Sequence, residues 1–181
     1  MTETVWLDDV EQRAWRGYLR MRWGLDTAIA RDLGRDAGLS HADYYVLARL
    51  SESEGHRLRM SDLADGIDWS KSRLSHQIAR MEARSLVSRE GCTGDARGTY
   101  AVLSPAGRRA IEVAAPGHVA SIRRHLLDAL TREQIETLAA ITAAVSERLD
   151  ADPGLPGCPG ERPACATAFG DDGDAGGDCA G

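Results

Sequence analysis

Residues 70–104 read SKSRLSHQIARMEARSLVSREGCTGDARGTYAVLS. In the first half, Leu74, Ile78 and Met81 step by four and three, which is the spacing of one helix face. Ser70 stands at its start as a cap. The opposite face presents Lys71, Arg73, Ser75, His76, Gln77 and Arg80. The second half changes period. Leu86-Val87-Ser88-Arg89 and Tyr100-Ala101-Val102-Leu103 alternate as two short strands. Gly91, Gly94 and Gly98 permit a sharp turn between them, with Asp95 and Arg97 at its tip. A polar-faced helix that runs into a β-hairpin is therefore expected.

Helices flank this pair on both sides. Over residues 6–33 the apolar positions Leu7, Val10, Ala14, Tyr18, Met21, Leu25, Ile29 and Leu33 step by three or four throughout, predicting one long amphipathic helix. Gly34 and Gly38 mark its end. Ser40 with Asp43 three residues on is a helix start, and Gly55 closes that helix. A short helix capped by Ser61-Asp62 is expected over "DLADGI", then a turn at "DWS". Ser104-Pro105 begins another helix, which Pro116-Gly117 should kink or restart. Thr131 and Gln134 form a capping box for the last helix, whose Ile135, Leu138, Thr142, Val145 and Leu149 make a narrow stripe suited to a helix–helix seam. The fold class is mostly α with a small β-hairpin.

The chain of 181 residues suffices for one ordinary domain, and 43% hydrophobic with 28% charged residues is the balance of a globular protein. No apolar run approaches the roughly 18–20 residues of a membrane span, and the first residues lack signal-peptide order, so a cytoplasmic location is expected. From residue 151 eight glycines and four prolines accompany a cluster of carboxylates. That composition predicts a disordered tail over 151–181, following a domain over 1–150. The four cysteines match no zinc spacing, and "DDGDAGGD" lacks the closing Glu of a calcium loop, so no metal or cofactor is expected.

The net charge of −6 is set largely by that tail. Between residues 70 and 109 eight cations stand against three carboxylates. A basic middle selects for a polyanion. Two short helices with a tight turn make a helix-turn-helix, whose second helix fits the major groove of duplex DNA. On that helix Arg73, His76 and Gln77 are candidates to read bases, while Lys71, Ser72, Ser75 and Arg80 are candidates to hold phosphates, and Ser70 at its start is a further DNA-binding candidate. The hairpin beside it is a wing, and a cationic tip suits the minor groove where that groove is narrow.

The order "RMSDLADGI … SKSRLSHQIARMEARSLVSRE … GDARGTYAVLSPAGRRAI" resembles the winged-helix core of MarR-family transcriptional regulators, most specifically over 58–111. The resemblance implies that Arg97 is the minor-groove residue and Asp95 its support. It implies a winged helix-turn-helix lobe over 40–104, and a homodimer interlocked through helices 6–33 and 131–150. It also implies a repressor released from a palindromic operator by a small-molecule effector, for which Trp15, Tyr18, Tyr44 and Tyr45 are candidate pocket residues. Ser85 departs from the family, which usually has Gly between the recognition helix and the wing.

Among rival classes, an enzyme finds little support. The chain has no glycine-rich phosphate loop, nucleophile elbow or HExxH metal motif. The other rival is a winged-helix adaptor or ligand sensor that binds no DNA. Such an adaptor would have no need of the exposed Arg73, Arg80 and Arg97.

Overall fold

The structure, a computed structural model, describes residues 5–92 and 95–152, with side chains described at all of these except 92 and 95–97. The tail expected over 151–181 thus falls almost wholly outside the described residues, as do the side chains of Cys92, Asp95 and Arg97.

Helix α1, Asp9–Ala37, opens on a capping box. The Asp8 carboxylate accepts from the Val10 and Glu11 amides, and the Glu11 side chain accepts from the Asp8 amide. The helix continues past Gly34 and stops at Gly38, where φ is 63°. Helix α2, His41–Glu52, starts on the reciprocal pair Ser40 and Asp43. Helix α3, Met60–Gly66, starts two residues earlier than expected, so its N-cap position falls on Arg59, which makes no side-chain cap; Ser61 lies inside the helix and its Oγ donates to Asp62. Helix α4 is Lys71–Ala83, capped by Ser70.

The hairpin consists of β2, Val87–Cys92, and β3, Asp95–Leu103, each longer than the sequence pattern suggested. A third strand, β1, Arg57–Arg59, lies antiparallel on the other side of β3, with Arg59 opposite Tyr100. Helix α5, Pro105–His125, runs unbroken through Pro116. It does not restart there. A proline costs the helix a hydrogen bond, and Ala114, Ala115 and His118 are buried around it. Helix α6, Arg132–Asp150, keeps the predicted Thr131–Gln134 box.

The core gathers Leu47, Leu50, Leu63, Leu74, Ile78, Met81, Ala101 and Ile111 between α2, α3, α4, α5 and the sheet. Each large aliphatic side chain buried there is worth about 1.5–3 kcal/mol relative to exposure. The long helices behave differently. Only the C-terminal part of α1 is packed, and α6 has no buried residue. The apolar stripes read from the sequence are therefore open to solvent at Val10, Tyr18 and Met21, and at Val145 and Leu149.

Candidate nucleic-acid interface

The turn between α3 and α4 is held by the Ala64 carbonyl, which accepts from the amides of Ile67 and Trp69. Asp68 takes a left-handed φ of 52° in that turn. This fixes the direction in which Ser70 launches α4. Leu74, Ile78 and Met81 then face the core, and Lys71, Ser72, Arg73, Ser75, His76 and Arg80 are exposed. Seven of the eight α4 candidates thus share one outward surface, counting Ser70.

Gln77 is the exception and a correction. It is 2% exposed, on the core side of the helix. Its Nε2 donates to Asp43 Oδ1 at 2.7 Å, and its carbonyl accepts from Arg80. It cannot reach a base from there without leaving these partners.

Two arginines of the basic stretch are likewise tied to the protein. Arg84 donates to Asp43 Oδ2 at 2.7 Å and to the Gly38 carbonyl at 2.8 Å. Arg89 donates to the Ser75 carbonyl at 2.9 Å and pairs with Glu82 at 3.3 Å. Burial raises the Asp43 carboxyl, but hydrogen bonds from Ser40 and Arg84 outweigh it and hold the group below the usual carboxylate range. Arg73, by contrast, sits over Trp69, its guanidinium carbon 4.2 Å from the ring centroid.

Sequence reasoning missed two cations. Arg57 and Arg59 project from β1 and stack on Tyr100 of β3, at 4.6 Å and 5.7 Å from the ring centroid. Arg59 helps line an open groove of about 520 Å³ with Ser61, Lys71, Ser75, Arg89 and Thr99, between the start of α4 and the base of the hairpin. Hydroxyls and cations line it, which is the donor set that suits phosphate oxygens. Asp95 begins β3 and Arg97 follows in it, but their side chains lie outside the described residues.

The four aromatic candidates do not form one wall. Trp15 and Tyr18 stack on each other along α1 and are 53% and 47% exposed. Tyr45 stacks on His41. Tyr44 is a core residue, its ring 4.1 Å from that of buried His118, which corrects its reading as a pocket side chain. Burial, and then the neighbouring His41, push His118 down to about 4. The second histidine of α5, His125, meets Asp32 Oδ2 at 2.8 Å. Ser121 and Arg124 donate to that same oxygen, and these bonds hold the buried Asp32 carboxyl far below its ordinary value. Among the described residues no group of three or more His, Cys, Asp or Glu is placed to hold a metal ion.

A sequence model of the MarR family matches residues 37–98, the span from the end of α1 through the hairpin. The crystal structure of AbsC, a MarR family transcriptional regulator from Streptomyces coelicolor, is 47% identical. That match covers 82% of this chain and all of AbsC, with a TM-score of 0.77. The chain belongs to the MarR family of transcriptional regulators. Sco3205, a second MarR regulator from Streptomyces coelicolor, was crystallised in complex with DNA. It is 40% identical over 84% of this chain and 96% of its own, with a TM-score of 0.78. Sco5413 from the same organism, 20% identical with a TM-score of 0.67, shares the fold. Among curated proteins none matches. No described helix of this MarR regulator is long and apolar enough to cross a membrane.

Proposed function

We propose that this regulator is a homodimeric, sequence-specific repressor that reads an inverted repeat in duplex DNA and responds to a small effector. The observation that carries the reading is the exposed face of α4, with its cations and hydroxyls, set against a basic groove at the root of the hairpin. Arg73 and His76 read base edges in the major groove. Ser70, Lys71, Ser72, Ser75 and Arg80 hold phosphates. Arg97, supported by Asp95, enters the minor groove from the hairpin tip. Residues 40–104 form the DNA-binding lobe. That Sco3205 was crystallised with DNA supports the same use of the shared fold here.

An open apolar surface supports the dimer. Leu7, Val10, Tyr18 and Met21 of the N-terminal region and Ile141, Val145 and Leu149 of α6 expose apolar side chains that the other described residues leave uncovered. A second copy placing the same helices against them would bury it, and would set two α4 helices on successive turns of one duplex face. The effector would enter beside Trp15 and Tyr18, where α1 remains open.

The test is selection of bound duplexes from a random pool at physiological salt, with Arg97→Ala alongside. A two-fold palindrome recovered by the wild type and lost by the variant is the expected result. Failure of the wild type to recover any sequence overturns the reading. Equal binding by Arg97→Ala overturns the placement of the hairpin.

A further inference from the structure

An amide in the core next to Leu74, Ile78 and Met81 is unfavourable unless both its ends are satisfied. Gln77 satisfies both. Asp43 offers it only acceptor oxygens and Arg80 only N–H donors, so the amide has one workable orientation: Nε2 toward Asp43, Oε1 toward Arg80. Asp43 is itself held from several sides. It is 4% exposed and accepts from the Ser40 amide at 2.9 Å and from Arg84 at 2.7 Å, while Arg84 also reaches the Gly38 carbonyl at the end of α1. A continuous chain of hydrogen bonds therefore runs from the α1–α2 junction through the buried Asp43 and Gln77 to an exposed guanidinium on α4.

We propose that Gln77 is a positioning residue for DNA binding, which with Asp43 holds Arg80 in place before the duplex arrives. The inference rests on the DNA-binding reading above. An arginine on an open helix face samples many rotamers and must lose that freedom to bind a phosphate. One N–H of Arg80 is committed inward to Gln77, and the remaining edge of the planar fork is held at the surface. The ordering is done in the free protein and does not weaken binding.

The experiment is a double-mutant cycle in affinity for a labelled duplex bearing the selected palindrome, using the full chain. Arg80→Ala is expected to weaken binding and lower the salt slope by about one, as one phosphate contact is lost. Gln77→Leu is expected to weaken binding about two- to tenfold with Arg80 present, and to change nothing in the Arg80→Ala background. Thermal unfolding checks that each variant is folded, and Gln77→Met replaces the leucine variant if that one is not. Equal weakening by the Gln77 variant in both backgrounds would show a merely structural role and overturn the inference while DNA binding stands. So would wild-type affinity in Arg80→Ala or in Gln77→Leu. Absence of duplex binding by the wild type would remove the DNA reading and this inference together.

Discussion

A Cβ placed on Gly107 would overlap the carbonyl oxygen of Leu86 and stand 2.9 Å from the Leu103 side chain. The start of α5 and the start of β2 approach too closely for any other residue. Ser104 closes the same junction. Its amide donates to the Leu86 carbonyl at 3.2 Å, its hydroxyl donates to the Ser85 carbonyl at 2.6 Å, and that hydroxyl accepts from the Gly107 amide at 2.9 Å. Gly107→Ala must push α5 away from the base of the hairpin. Overpacking of this kind costs about 1–3 kcal/mol, read as a lower midpoint in urea. An unchanged midpoint would mean that the junction yields freely.

Ser85, on the other side of that junction, has a left-handed φ of 58°. The departure from the family's usual glycine therefore falls where a Cβ is disfavoured. The Ser85 amide donates to the Glu82 carbonyl at 2.8 Å, a backbone contact that glycine keeps. Ser85→Gly is expected to gain about 1 kcal/mol and raise the melting temperature by about 2–4 °C. A calorimetric scan decides it, and a lower melting temperature would show that the serine side chain contributes more than its backbone costs.

What could be read from the sequence divides along physical lines. Capping signatures are local, so Ser40 with Asp43, Ser70, Ser104 and Thr131 with Gln134 stand at helix starts as expected. The burial of Gln77 was within reach. Position 77 is three from Leu74 and four from Met81, so helical phase alone puts it on the core face, and its polarity obscured that. Strand β1 was not within reach, because three residues show no usable alternation and the partner at Tyr100 lies far along the chain. The continuation of α5 past Pro116 is a case of tertiary packing outweighing local preference. The bonds from Ser121, Arg124 and His125 to Asp32 form only once α5 lies along α1, and no local pattern announces them.

Acid should unfold the protein in two stages. His118 is buried and its folded pKa is about 4, against an ordinary 6.5. The unfolded chain therefore takes up that proton first, and stability falls as pH drops from about 6.5 to 4. The loss is on the order of 3 kcal/mol when complete. Asp32 and Asp43 are shifted below the ordinary carboxylate value of 3.8 by their hydrogen bonds, so their contribution holds above that value and is lost as pH falls through it. Urea denaturation at a series of pH values should show a shallow decline first and a steeper one below about pH 4. His118→Phe, whose ring can still pack on Tyr44, should reduce the first decline and leave the part due to His41, which burial also holds below its ordinary value. A flat profile in the wild type from pH 6.5 to 4.5 would refute the assignment to His118.

Among the proposed base readers, Arg73 is the one with an aromatic neighbour: its guanidinium sits over Trp69. Its guanidinium carbon lies 4.2 Å from the centre of the Trp69 ring, and Trp69 is itself half-buried against the core, so the guanidinium has a fixed surface to rest on. A guanidinium can present two parallel N–H groups to guanine O6 and N7. Arg73→Ala should then relax base choice at one position in each half-site, at a cost of about 1–3 kcal/mol, and leave the other positions as selective as before. Arg73→Lys should not restore the preference, because an ammonium neither forks nor stacks. Trp69→Leu keeps an apolar side chain in the turn and removes the ring, so it should blur the same position and no other. Repeating the duplex selection with these three variants reads each outcome directly. If Arg73→Ala recovers the wild-type palindrome with every position intact, α4 does not read DNA through this arginine. Uniform weakening across all sequences would instead make Arg73 a phosphate contact.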